Sequence, residues 1–223
     1  MGYGLTPDRN ERHRRRFSKV FDVLDGKARQ IIDPVLDRMG GALAARGISA
    51  NSVTGAGLAI GLAAALVIAL EAYPAGLVLL LISRLADGLD GAVARHSGTT
   101  DLGGFFDIVA DFTFYGAIPF GFIFADPAAN AVAGAVLLLS FYVNGASFLA
   151  FAIMAEKQGL TTMSRGSKSL YFTTGLAEGT ETIATFCAFC LFPTAFTPIA
   201  YVFAAICFIT AGARVLLAMK TFQ

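Results

Sequence analysis

Between Asp87 and Asp111 the chain reads DGLDGAVARHSGTTDLGGFFDIVAD, five aspartates, four of which recur at helical spacings on either side of a short polar break. At 100° per residue, Asp87, Asp90, Gly91 and Ala94 share one narrow helical face, and Gly103, Asp107 and Asp111 share another. The Ser97-Gly98 break between them predicts two helices joined by a short loop, an antiparallel pair whose acidic faces meet. Where those helices lie decides the fold. Residues 74–96 and 102–125 are both apolar and both near the roughly 20 residues needed to cross about 30 Å of hydrocarbon.

Four more apolar stretches flank this pair, near 51–72, 128–155, 168–192 and 196–219, with Tyr73-Pro74, Asp126-Pro127, Gly159, Pro193 and Pro198 as punctuation. Of the 223 residues, 56% are apolar and 15% charged, against roughly 25% charged in a soluble domain, and mean hydropathy is +0.65. These values exclude a disordered chain and argue against a soluble globular one. The expected fold is an all-α membrane protein, a bundle of six transmembrane helices over 51–223 preceded by an N-terminal arm, residues 1–50.

A net charge of +1 excludes a polycationic nucleic-acid binder, but it hides a split. Residues 1–50 hold ten of the seventeen Lys/Arg and six of the sixteen acids, so the arm is basic and the membrane part net acidic. The arm, Lys157, Arg165, Lys168 and Lys220 fall on one side of the bundle, whereas the loops near 71–75, 125–129 and 193–197 hold no Lys or Arg. The positive-inside rule then makes both termini cytoplasmic. Met1 to Asp25 is too polar for a signal peptide. Within the arm, Arg12, Arg14, Arg15, Arg16 and Lys19 suit anionic lipid headgroups, while Ile31, Ile32, Val35, Leu36, Met39, Leu43 and Ala44 recur at helical spacing. A surface-lying amphipathic helix accounts for both features; an ordinary basic tail accounts only for the charge.

Asp87, Asp90, Asp107, Asp111, Glu178 and Glu181 all fall within expected spans. Insertion scales charge about 2.5–3.5 kcal/mol for an Asp at a helix centre, so six unbalanced carboxylates would cost on the order of 15 kcal/mol. Arg84, three residues before Asp87, is one available partner. The acids still outnumber the bases, and a divalent metal is the natural balance. Four converging carboxylates form the all-oxygen environment that Mg²⁺ or Mn²⁺ prefers, with charge enough for two ions. Gly91 and Ala94 leave room beside them for a bulky ligand. Cys187 and Cys190, spaced C-x-x-C inside an apolar helix, and Cys207 read as packing residues.

The run Asp87-Gly88-Leu89-Asp90-Gly91-Ala92-Val93-Ala94-Arg95, followed by Gly103, Asp107 and Asp111, resembles the signature of the CDP-alcohol phosphotransferase family, D-x-x-D-G-x-x-A-R-x(7–8)-G-x-x-x-D-x-x-x-D, with every specified position filled. Gly47 to Thr54 is similar to the family's entry to its first span, with Ala50 in place of a frequent proline. The resemblance implies that an alcohol attacks the β-phosphorus of a CDP-linked alcohol and CMP leaves, with two Mg²⁺ or Mn²⁺ ions clamping the pyrophosphate. It implies metal ligation by Asp87, Asp90 and Asp107, with Asp111 sharing one ion and acting as general base. Gly91, Ala94, Arg95, Asn51 and Thr54 would line the CDP site, and the enzyme would be a homodimer of the bacterial inner membrane.

Family members use CDP-diacylglycerol, or CDP-choline and CDP-ethanolamine in usually longer chains; 223 residues and six spans favour CDP-diacylglycerol. For the acceptor, Arg165 and Lys168 suit a phosphate such as that of glycerol 3-phosphate or inositol phosphate, although the positive-inside rule alone also explains them. Glu178 and Glu181 favour a polyhydroxyl or amine-bearing acceptor, or a supporting role behind the site. A divalent-cation transporter would also place acids in spans, but it would not need Gly91, Ala94 and Arg95 at these spacings.

Overall fold

The structure is a computed structural model that describes residues 34–159 and 179–222. Among these residues it is helical, with no strand. Residues 34–45 form α1, followed by α2 (Ala50–Ala69), α3 (Tyr73–Ser97), α4 (Asp101–Ala125), α5 (Pro127–Lys157), α6 (Gly179–Leu191 as described) and α7 (Phe196–Thr221), with a 3₁₀ turn over Pro193–Ala195.

Each boundary has a local cause. The Ser49 hydroxyl caps α2 by accepting from Ser52 N, Thr100 caps α4 through Gly103 N at 3.0 Å, and Asp126 caps α5 through Ala129 N at 3.0 Å. Prolines open helices here as much as they end them: Pro74 and Pro127 stand in the first turns of α3 and α5, where a missing N–H costs nothing. The expected first span, 51–72, therefore ends three residues early. The reversal falls in Leu70 to Ala72, with Glu71 at φ 62°, before the proline. At the other end of α3, Gly98 takes φ 96°, a conformation open to glycine, and turns the chain into α4.

Among the described residues, four helical segments are long and apolar enough to cross a membrane: α2, α4, α5 and Pro193–Thr221. The remaining two of the six expected spans are less plain. At 25 residues α3 extends about 37 Å, but Arg84, Asp87, Asp90 and Arg95 crowd its C-terminal half. The expected span 168–192 is described only from Gly179 onward.

The helices close into a ring. α2 packs on α3 and α4, α4 on α5, α5 on α7, α7 on α6, and α6 on α3. Because lipid is as apolar as the side chains, close fit rather than water exclusion drives such packing. Glycines make the fit possible: a methyl group at Gly121 would stand 2.5 Å from the Ala65 carbonyl oxygen, and one at Gly61 2.6 Å from the Phe114 ring. Phenylalanines fill the interior. Phe114, Phe122, Phe186, Phe189 and Phe196 are fully buried, with Phe122 stacked on Phe196 at 5.1 Å and Phe189 against Phe196 at 4.6 Å. Arg214 Nη1 lies 2.9 Å from Asn144 Oδ1 and 2.6 Å from Ser147 Oγ, so a charged residue of α7 meets polar partners on α5.

Helix α1 lies on the C-terminal half of α3. A methyl at Gly40 would stand 2.7 Å from Ala92 Cβ, and Leu36 packs over Gly88. Ile31 and Ile32 of the expected apolar stripe, and the basic cluster at 12–19, lie outside the described residues. Val35 and Met39, one turn apart, are exposed.

Candidate metal and nucleotide site

The sequence predicts that α3 and α4 meet face to face. In the structure they do so through their side chains, Arg84 of α3 reaching Asp111 of α4 at 2.8 Å, while α2 packs closely against both helices. One carboxylate oxygen each from Asp87, Asp90 and Asp107 lies within 4.8 Å of the other two. Three anionic oxygens at this spacing match hard divalent cations with oxygen ligands, so the residues fit Mg²⁺ or Mn²⁺.

The most enclosed of the three is Asp90, 5% exposed. Thr54 on α2 donates its hydroxyl proton to Asp90 Oδ2 at 2.6 Å, with the Ala50 carbonyl 3.1 Å away as a weaker acceptor. A short bond to a carboxylate is among the stronger neutral-donor contacts. It gives Thr54 a role in orienting Asp90 that is absent from the sequence-based expectation of a nucleotide contact. Thr54→Val keeps the shape and removes the donor. It is expected to raise the Mn²⁺ concentration for half-maximal activity about tenfold, the usual scale for a partner behind a metal ligand. An unchanged Mn²⁺ dependence would deny Thr54 that role.

Asp111, one turn beyond Asp107, stands outside the three-oxygen group. Its Oδ1 accepts from Arg84 Nη1 at 2.8 Å, and the same nitrogen is 3.4 Å from Asp87 Oδ1. The pairing of Arg84 with Asp87 read from their i,i+3 spacing is thus present, but the closer partner is Asp111. No local signal marks a pair 27 residues apart on two helices.

Around the acids the small residues divide into two kinds. A Cβ added at Gly91 would meet nothing nearer than Arg95 Nη1 at 4.0 Å, so that face of α3 is open. At Gly103 a Cβ would stand 3.0 Å from Thr100 Oγ1 and 3.2 Å from Asn51 Oδ1, so here glycine lets α4 close on α2 beside Asn51. Ala94 is partly buried on the Gly91 side. Arg95 is exposed, its Nη2 3.5 Å from Asp37 Oδ1 on α1, and His96 Nε2 is 3.4 Å from the same oxygen. The spacing-based reading had no means of finding Asp37.

Of the acceptor candidates, Arg165, Lys168 and Glu178 lie outside the described residues. Glu181 is in the first turn of α6, where its carbonyl accepts from Thr185 Oγ1 at 2.8 Å. In the described part of that helix, a Cβ at Gly179 would lie 3.5 Å from the hydroxyl of Tyr115, four residues beyond Asp111 on α4.

Known proteins with this pattern form a coherent set. The chain is 46% identical over 193 residues to the inner membrane protein YnjF of Escherichia coli, covering 86% of this chain and 94% of that one. Its fold is similar to that of the Mycobacterium tuberculosis phosphatidylinositol phosphate synthase PgsA1. The structure of that protein with manganese and citrate gives a TM-score of 0.65 at 22% identity, covering 81% of this chain and 87% of that one. The structure with CDP-DAG bound gives 0.64 at 22%, covering 82% and 92%. The sequence profile described as CDP-alcohol phosphatidyltransferase matches residues 47–218, a span that takes in the capped start of α2, the acidic motif and most of α7. With its signature aspartates gathered at one site of a helical bundle, this chain belongs to the CDP-alcohol phosphatidyltransferase family.

Proposed function

We propose that the protein transfers the phosphatidyl group of CDP-diacylglycerol to an alcohol and releases CMP at the cytoplasmic face of a bacterial inner membrane. The observation that carries this reading is the meeting of Asp87, Asp90 and Asp107 oxygens within 4.8 Å beside the open face at Gly91. The PgsA1 structure with CDP-DAG, on a fold this chain resembles, supports the donor, and the name of the Escherichia coli relative supports the membrane.

Divalent cations held by Asp87, Asp90 and Asp107, with Asp111 sharing one of them, would supply positive charge to the pyrophosphate and to the departing CMP. The rest of the chemistry falls to the chain. Gly91 and Ala94 admit the nucleotide, Asn51 contacts it from the α2 side beside Gly103, and Arg95 offers its guanidinium to phosphate in place of Asp37. Asp111 takes the proton of the acceptor hydroxyl as that oxygen bonds to the β-phosphorus and the bond from phosphorus to the CMP oxygen breaks. Its help comes from position, because an aspartate is a weak base toward a free alcohol.

In this reading residues 1–50 are a cytoplasmic arm whose helix lies in the interface with Val35 and Met39 toward lipid. Residues 51–223 are the six-helix catalytic domain, which acts as a homodimer. Arg165, Lys168, Glu178 and Glu181 are the acceptor residues, and a phosphorylated polyol such as glycerol 3-phosphate suits the two cations.

The test uses purified protein, CDP-diacylglycerol, Mg²⁺ or Mn²⁺ and a panel of phosphorylated polyols, free polyols and amino alcohols. CMP release that depends on one acceptor class, with a phosphatidyl product of matching mass, is expected. Release from CDP-choline or CDP-ethanolamine but not from CDP-diacylglycerol would overturn the donor. Absence of CMP release across the panel would overturn the reaction.

A further inference from the structure

Arg84 lies in the acidic site but outside the family signature, and the structure holds it unusually firmly. Its guanidinium carbon sits 3.7 Å from the centroid of the Phe114 ring. That ring is fully buried, seated in the space left by Gly61 and backed by Phe186 at 6.1 Å. Arg84 Nη2 donates to Ser83 Oγ at 3.3 Å, and Ser83 in turn donates to the Gly57 carbonyl at 2.8 Å. The Arg84 side chain is only 14% exposed, and its buried Nε has no hydrogen-bond acceptor among the described residues. A guanidinium placed to collect hydrogen bonds would not leave Nε unused. Ring stacking and two carboxylates define its position instead.

We propose that Arg84 is a resident counter-ion and positioning residue that makes the second divalent ion conditional on the nucleotide. The inference rests on the metal-dependent reading given above. Four carboxylates carry four negative charges. Arg84 and one divalent ion at Asp87, Asp90 and Asp107 reduce these to one. A second ion alone would leave the cluster positively charged in a poorly solvated setting, and it would have to compete with Arg84 for Asp111. A pyrophosphate brings negative charge of its own, so the second ion enters with it. Asp111 is thereby kept from the first ion and held for the step in which the acceptor arrives.

Full-length protein in detergent is titrated with Mn²⁺, following the paramagnetic resonance signal of the free ion, with and without saturating CDP. The wild type is expected to bind one Mn²⁺ tightly and a second at least tenfold more weakly, with CDP tightening the second at least tenfold. By reciprocity Mn²⁺ tightens CDP by the same factor. Arg84→Met should bring the second ion to within about threefold of the first without CDP, whereas Arg84→Lys, which keeps the charge, should retain the wild-type pattern. Asp111→Asn should leave the first ion within threefold and lose the second.

Two equal sites in the wild type without CDP would overturn the proposal, as would an Arg84→Met titration that matches the wild type. If Arg84→Met does not fold, loss of the first ion in Asp111→Asn overturns it, and its retention supports it. Absence of Mn²⁺ binding by the wild type would overturn the metal reading itself, which separates that failure from this one.

Discussion

Asp90→Asn is expected to lower turnover at least about a hundredfold, which corresponds to about 2.7 kcal/mol of lost transition-state stabilisation. The change is nearly isosteric, and the amide oxygen can still accept from Thr54, so the contact between α2 and α3 should survive. Removing a carboxylate from an enclosed site in an apolar helix also lightens the cost of folding there. Activity and metal-free stability should therefore move in opposite directions: CMP release falls while the melting temperature measured in EDTA holds or rises. Asp87→Asn and Asp107→Asn should resemble it in activity, because each contributes one of the three convergent oxygens. The control is Asp101→Asn. Asp101 is exposed in the first turn of α4, where its charge only favours the helix N-terminus, and a change of no more than about twofold is expected. A mild effect at Asp90 would remove it from the ligand set.

Excess EDTA is expected to abolish CMP release, and Mg²⁺ or Mn²⁺ to restore it. Two unit charges 4.8 Å apart repel by about 3 to 4 kcal/mol at an effective dielectric constant of 20. Three such oxygens meeting a pyrophosphate form a repulsive assembly. Arg84 offsets one charge, and Arg95 is exposed and shared with Asp37. The ions should also stabilise the folded chain, since they bind it and not the unfolded one. At a hundredfold excess over Kd this amounts to about 2.7 kcal/mol. The melting temperature in detergent should accordingly fall on chelation and recover with Mn²⁺. Full activity in excess EDTA would end the metal-dependent reading.

Much of the site is legible in the chain because its residues sit at short helical spacings. The faces formed by Asp87, Asp90, Gly91 and Ala94 and by Gly103, Asp107 and Asp111 follow from 100° per residue and nothing else. The expected spans 74–96 and 102–125 fall within a residue of α3 and α4. The end of α2 was misplaced because the reading treated Pro74 as a stop, when a proline fits the first turn of a helix just as well.

Composition, apolar segment length and helical periodicity thus determined an all-helical membrane bundle and the set of aspartates, since these are properties of one segment at a time. How the segments rotate and slide against one another was decided only in the tertiary structure. There α2 packs closely against both α3 and α4, which meet each other through Arg84 and Asp111. Thr54 reaches Asp90 across 36 residues, and Arg84 prefers Asp111 to its nearer neighbour Asp87. These pairings depend on where Gly57 meets Ala86 and where Gly61 admits Phe114, places where an added Cβ would stand 3.0 Å and 2.6 Å from its neighbour. A linear pattern records which face is acidic. It carries no record of helix register, because register comes from the fit of surfaces that are far apart in the chain.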